Sequence, residues 1–136
     1  MQQKLEPGHE RYVITRLAKY EEAYAIIEQR KFNEVLQQAV IFWDHKLYFE
    51  MHELLELEWK NAEGDRRRVL QGLIRAVGMK IHAENNNMKA AVSMAVKAQA
   101  DLQQYGGELT GFVNLEAILA EIQQTLATTQ NPSQDD

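Results

Sequence analysis

The sequence predicts an all-α protein, a compact helical bundle of about five helices, from three observations. Glycine and proline are scarce, with 7 and 2 in a chain of 136 residues, so few turns interrupt it. Apolar residues recur at steps of three and four along the chain, which is the helical period. No stretch alternates apolar and polar residues in the way that a half-buried strand does.

The segment 1–31 is predicted to hold an N-terminal arm, ended by Pro7-Gly8, and an extra helix. This helix carries one apolar stripe at alternating steps of four and three: Val13, Leu17, Tyr20, Tyr24 and Ile27. Such a stripe must be buried, either by folding back on its own bundle or by pairing with a second copy. Because two-fold pairing is the common solution, we expect a homodimer rather than a monomer. Asn33 is a suitable N-cap for a second helix at the start of a helical domain over 32–127.

The next helices are predicted from their ends. A helix from about Tyr48 to Lys60 is followed by a helix capped by Asp65, in which Gly72 and Gly78 indicate a close approach of another helix. Asn87 is the expected N-cap of the following helix. Its predicted core face is Met88, Val92, Ala95, Val96 and Leu102.

Two glycines, Gly106 and Gly107, are expected to end that helix. The last helix is predicted to start at an Asn114 cap. The tail 128–136 has few apolar residues to bury, so it is predicted to be disordered.

Composition excludes several classes of protein. The net charge of −5 argues against a nucleic-acid binder, which needs a basic face for phosphates. Arg66-Arg67-Arg68 is the local exception, interpreted as a solvated cluster, with an anionic partner as the alternative. Cysteine is absent, which excludes disulfides, and no apolar run is long enough for a membrane span or a secretory signal. The expected compartment is therefore the cytoplasm.

One helix face combines groups that rarely occur together. At 100° per residue His52, Glu56 and Trp59 lie on one arc, with Phe49 at its edge. Side chains four residues apart point the same way, so His52 and Glu56 could share one divalent metal ion. His82 on the next helix is the predicted third metal ligand, with Glu53 or Glu50 as a fourth. We expect His52, Glu56 and Trp59 to be largely buried, because the stripe borders an apolar face.

The pattern leaves two hypotheses open. In the first, the stripe forms an inter-helical polar pocket for a small ligand or a divalent metal, and Glu56 or Glu53 could serve as a base with His52 as an acid or ligand. In the second, the protein is a non-enzymatic dimeric scaffold. Glu56 then accepts hydrogen bonds from His52, Trp59 or Gln71 in a structural network.

Three blocks of the sequence resemble one family. They are Phe49-Glu50-Met51-His52-Glu53-Leu54-Leu55-Glu56-Leu57-Glu58-Trp59, then Leu70-Gln71-Gly72-Leu73-Ile74, then His82 with Asn87. The chain thereby resembles the domain of unknown function 309 family, whose pattern is H-x-x-x-E-x-x-W, L-Q-G-L-I and H-x-x-x-G-N. Asn86 stands where that pattern has glycine.

The resemblance implies a small all-helical fold with no established activity. It also implies that the H-x-x-x-E-x-x-W stripe belongs to a functional site. The residues carried over are His52, Glu56, Trp59, Gln71 and His82, with Glu53 beside them.

Overall fold

The first helix, α1 (Pro7–Asp44), is longer than predicted. It begins at a proline, which suits the first helical position because the N–H missing there has no helical partner. The prediction that a new helix starts at Asn33 is wrong, because the residues around it contain neither glycine nor proline to interrupt the helix. The Asn33 side chain instead accepts a hydrogen bond from Gln29 Nε2 at 3.0 Å.

The structure is a computed structural model that describes the backbone of residues 7–109 and 115–129 and the side chains of 14–107 and 115–128. The chain divides into two units, one ending at Leu36 and the other beginning at Gln37. Elements that follow α1 are α2 (Tyr48–Asn61), α3 (Gly64–Glu84), α4 (Met88–Tyr105), a 3-10 turn (Gly106–Leu109) and α5 (Leu115–Thr129). Every regular element over the described residues is helical, which confirms the predicted all-α class.

Helix α3 organises the second unit. It packs most extensively against α4 and next against α2, and α5 packs against α4. The buried side chains of this unit are all hydrophobic: Ala39, Trp43, Tyr48, Met51, Leu55, Val69, Leu70, Leu73, Ala76, Val77, Met79, Ala91, Ala95, Ala98, Leu102, Ile118 and Ile122. Each helix thus contacts its neighbours in the sequence, as in a bundle with short connections.

The contact between α3 and α4 is closer than ordinary side chains permit. A Cβ placed on Gly72 would lie 3.0 Å from both Asp101 Cβ and Leu102 Cδ2. The predicted close approach is confirmed at Gly72. At Gly78 it is not, because a Cβ there would lie 3.7 Å from Met94 Sδ, which is an ordinary contact distance.

The buried face of α4 differs from the predicted one. Ala91, Ala95, Ala98 and Leu102 are buried, whereas Met88 and Val96 are exposed at 41% and 54%. The prediction is correct for Ala95 and Leu102. It is wrong for Met88 and Val96, because it ranked methionine and valine above the alanines that are buried.

Tight connections join the helices. Lys46 after α1 and Asn86 after α3 adopt left-handed backbone with φ of 59° and 60°, and Gly64 has a φ of 63°. The predicted cap at Asn87 is confirmed, because its side chain accepts from the Ala90 N–H at 3.3 Å. The cap predicted at Asp65 is not found. The structure starts α3 at Gly64, with Glu63 before it making no side-chain cap bond.

Some predictions concern residues outside those described. They are the cap at Asn114, the part of the arm up to Glu6 and the part of the tail beyond Thr129. Within the described residues, no helix combines the length and the apolar character needed to cross a membrane.

Candidate functional site

Helix α2 carries the predicted stripe beside its buried face. Tyr48, Met51 and Leu55 are buried at steps of three and four, so they set which side of α2 faces the core. His52 and Glu56 each follow a buried residue by one position, which places them at the border of that face. Their side chains are 31% and 44% exposed, so the expectation that they are largely buried is wrong.

Three ligand atoms converge at this border. His52 Nδ1 lies 3.5 Å from Glu56 Oε2 and 3.8 Å from Glu53 Oε1. One atom from each residue lies within 4.8 Å of the other two, so these three residues could hold a metal ion. They are called the His/Glu/Glu group below. Glu53 is thus the third residue of this group, whereas the sequence predicts His82 as the third metal ligand.

A surface cavity of about 460 Å³ adjoins the carboxylates of this group. Glu53 and Glu56 line it together with Leu54, Leu57 and Lys60. Leu57 is 63% exposed although it is a large apolar side chain. The cavity therefore offers two carboxylates, one ammonium and an apolar wall within about two turns of helix.

Trp59 faces the start of α3. The guanidinium carbon of Arg67 lies 3.9 Å from the centre of the Trp59 ring, a close cation–π contact. Trp59 Nε1 is buried and has no hydrogen-bond partner among the described residues. The structure therefore does not contain the bond from Trp59 to Glu56 that the structural-network hypothesis uses.

Gln71 and His82 lie elsewhere on α3. Gln71 lines a second cavity, of about 530 Å³, which shares no lining residue with the first. His82 is in the last turn of α3 and lies outside the His/Glu/Glu group. Lys80 precedes His82 by two positions, and its Nζ lies 5.5 Å from the centre of the ring of Tyr48, the first residue of α2. This end of α3 thus lies near Tyr48, one helical turn before His52.

A polar cluster joins three helices, and it was not predicted from the sequence. Lys80 Nζ of α3 donates to Glu121 Oε1 of α5 at 2.7 Å, and Tyr48 of α2 is beside them. Burial raises the pKa of the Tyr48 hydroxyl. Burial alone would lower the pKa of Lys80, but the hydrogen bond and the charge of Glu121 outweigh it, so this pKa is raised.

Arg67 and Arg68 belong to the basic cluster interpreted from the sequence as solvated, with an anionic partner as the alternative, whereas Tyr105 was missed as a site residue. Arg68 lies 5.8 Å from the centre of the Tyr105 ring, and all three residues line the second cavity. The contact of Arg67 with Trp59 has one signal in the sequence. An aromatic residue at the end of one helix and an arginine in the first turn of the next lie close together when a short connection makes the two helices antiparallel.

The fold and site define a small helical protein with a histidine–carboxylate group on one helix. The sequence model of the family described as "Domain of unknown function (DUF309)" matches residues 36–94. This match, over the segment that holds α2, α3 and the start of α4, supports the family assignment that the resemblance predicted. No curated protein and no solved structure gives a significant match to the chain.

Proposed function

We propose that the His/Glu/Glu group binds a divalent first-row metal ion and presents it to a small ligand in the adjoining cavity. The observation that carries the proposal is the convergence of the three ligand atoms, with Nδ1 of His52 at 3.5 and 3.8 Å from the two carboxylates. Ligand atoms that surround an ion tetrahedrally at about 2.1 Å lie about 3.4 Å apart, so small rotations suffice.

The composition of the group supports a first-row ion over calcium or magnesium. One imidazole and two carboxylates are borderline ligands of the kind that zinc, manganese and nickel accept. Calcium and magnesium prefer oxygen ligands alone. Three protein ligands leave a coordination position for water or a ligand, as in catalytic rather than structural zinc sites.

Thermal unfolding with and without metal tests this proposal. Zinc, manganese or nickel should raise the melting temperature at neutral pH, since a ligand at about 100 times its Kd stabilises the folded state by about 2.7 kcal/mol. His52→Ala and Glu56→Gln should abolish the rise. Glu58→Gln, which removes the same charge from another face of α2, should retain it.

Two further variants test which residue is the third metal ligand. His82→Ala should leave the metal effect intact if Glu53 is the third ligand, and Glu53→Gln should weaken it. The proposal is wrong if none of the three ions shifts the melting temperature and no metal accompanies the purified protein.

We infer a second candidate function, assembly through α1, from a different observation. Its apolar stripe is exposed within the first unit, with Leu17 at 56%, Tyr20 at 55%, Tyr24 at 70% and Ile27 at 47%. Their steps of three and four match positions a and d of a heptad, which is the seam of a coiled coil. A second copy of α1 would cover this stripe.

The charges beside the stripe favour a parallel pair. With Leu17 at position a, Arg16 is at position g and Glu21 at the following position e. A parallel coiled coil brings these two positions of opposite strands together, with opposite charges. An antiparallel pair would instead place Glu21 and Glu28 on matching e positions, with like charges.

Light scattering on full-length variants tests the assembly. The wild-type chain should be a dimer. Leu17→Glu combined with Tyr24→Glu should make it a monomer, because the charges fall in the apolar seam. Ala18→Glu combined with Ala25→Glu adds the same charges one position further along and should leave the dimer intact. A monomeric wild-type protein contradicts this candidate.

A further inference from the structure

Two arginines at the start of α3 are held by aromatic rings. Arg67 lies over Trp59 with 3.9 Å between the guanidinium carbon and the ring centre, and Arg68 lies 5.8 Å from the Tyr105 ring centre. A guanidinium that contacts a ring through its face keeps its N–H edge available. These edges suit the two oxygens of a carboxylate or phosphate group.

Neither charge has an acidic partner in the part of the chain that the structure describes. Two other cations of the second unit are paired: Arg75 with Asp101 at 2.6 Å and Lys80 with Glu121 at 2.7 Å. Arg67 and Arg68 form no such ion pair with a described carboxylate. Their two neighbouring charges are therefore available to an anion.

Both arginines line the second cavity, which has a volume of about 530 Å³. This volume is typical of small-molecule pockets. Gln71 and Tyr105 add neutral hydrogen-bonding groups, and Asp65 adds one carboxylate that leaves the lining with a net positive charge. The cavity thus combines two cationic side chains with the aromatic ring of Tyr105.

We propose that this cavity binds a small organic anion through a carboxylate or phosphate group held by the edges of Arg67 and Arg68. The site is independent of the His/Glu/Glu group, because the two cavities share no lining residue. Arg66-Arg67-Arg68 is therefore more than a solvated cluster. Contact with an aromatic ring restricts two of its guanidinium groups before a ligand arrives, which lowers the entropy cost of binding.

An NMR titration of the full-length protein tests the site, with inorganic phosphate and succinate as separate probes at constant ionic strength set by sodium chloride. The indole N–H of Trp59 should shift and saturate, because its ring contacts Arg67. The indole of Trp43, which packs against Tyr48, is the internal control and should not move. The probe that binds more tightly identifies the anionic group.

Variants assign the effect to the two guanidinium edges. Arg67→Gln with Arg68→Gln should weaken binding by at least about tenfold, and Arg67→Lys with Arg68→Lys should also weaken it, because lysine keeps the charge but lacks the planar edge. Lys89→Gln with Lys97→Gln removes two exposed charges from α4 and should retain wild-type affinity. Equal loss in this control overturns the proposal.

The wild-type titration decides the proposal even if a variant fails to fold. A Trp59 signal that does not saturate with either probe up to about 10 mM overturns it, since such affinity is below that of a formed site. A shift that sodium chloride reproduces at the same ionic strength also overturns it.

Discussion

Asn86 and Lys46 are the two residues other than glycine with positive φ among the described residues. Each lies in a connection between two helices, where the chain must reverse within a few residues. Asparagine tolerates left-handed backbone better than most residues, because its short polar side chain can bond locally. The family pattern resembled by this chain has glycine where Asn86 stands, and the observed φ of 60° explains why either residue fits.

The stability of Asn86 variants should depend on how well each residue adopts the left-handed backbone at this position. Asn86→Ala is expected to lower stability by roughly 1 kcal/mol, because alanine is strained in left-handed backbone, whereas Asn86→Gly should be neutral or stabilising. Asn85 has a φ of −91°, so Asn85→Ala is the matched control and should have a smaller effect. Urea unfolding of the three variants measures the difference. Equal losses for both alanine variants would show that the left-handed angle is not what matters.

At the scale of single residues, the sequence predicted part of the candidate site. The four-residue step correctly predicted that His52 and Glu56 meet, because the helical period alone determines it. The contact of Arg67 with Trp59 depends on the path of the chain between α2 and α3, where Gly64 has a φ of 63°. No periodicity encodes that path, so this contact could not be derived from spacing.

At the scale of helices, the packing of α3 on α4 combines a glycine on α3 with a face of α4 that is rich in alanine. A Cβ on Gly72 would make unusually tight contacts with Asp101 and Leu102, and Ala95 and Ala98 are among the buried residues of α4. The presence of a close contact could be predicted from a glycine within a helix, since it costs roughly 1 kcal/mol relative to alanine. The face of α4 that packs against α3 could not be predicted, because alanine contributes little to a hydrophobic pattern.

The two glycines of α3 should respond oppositely to alanine. Gly72→Ala places a Cβ 3.0 Å from Asp101 Cβ, which is tighter than an ordinary contact, so its neighbours on α4 must shift by a few tenths of an ångström at an expected cost of roughly 1–3 kcal/mol. Gly78→Ala meets only Met94 at an ordinary distance, so the better helix propensity should raise stability by roughly 0.5–1 kcal/mol. Melting temperatures of the pair provide the test. A stabilised Gly72→Ala variant would contradict the close packing.

Helix boundaries show what local signals can and cannot determine. The connection after Asp44 and the cap at Asn87 were predicted correctly, because turn and cap residues act over a few positions. The break predicted at Asn33 is absent, since an asparagine without a neighbouring glycine or proline can lie inside a helix. A cap residue therefore predicts a helix start only where the preceding residues also interrupt the chain.

At the scale of the whole molecule, three helices meet through Tyr48, Lys80 and Glu121. The residues lie on α2, α3 and α5, and Lys80 donates to Glu121 at 2.7 Å. None of these contacts follows from the sequence, because the residues are 32 and 41 positions apart and only the packed bundle brings them together. The all-α class itself was predictable, since it follows from the helical period along the chain.

This cluster predicts a loss of stability in alkaline solution. The pKa values of Tyr48 and Lys80 are raised above their ordinary 10.0 and 10.5, so the folded state binds both protons more tightly than the unfolded state. Stability from the cluster is complete below about pH 10 and falls as the pH rises through the folded pKa values. Thermal unfolding across this range should show a falling melting temperature.

Variants should separate the cluster from general alkaline effects. Glu121→Gln removes the charge that raises the pKa of Lys80, so it should flatten the alkaline decline. Lys89→Met removes an exposed lysine from the start of α4 and should leave the decline unchanged. A decline of the same steepness in Glu121→Gln would refute this assignment.

The sequential packing of the second unit also governs how the chain acquires its structure. Because α3 packs mainly on the helices directly before and after it, most contacts close short loops. Proteins dominated by such local contacts have a low relative contact order and fold within microseconds to milliseconds. We therefore expect the α2–α3–α4 segment to fold rapidly, starting from its short antiparallel hairpins and without waiting for distant parts of the chain.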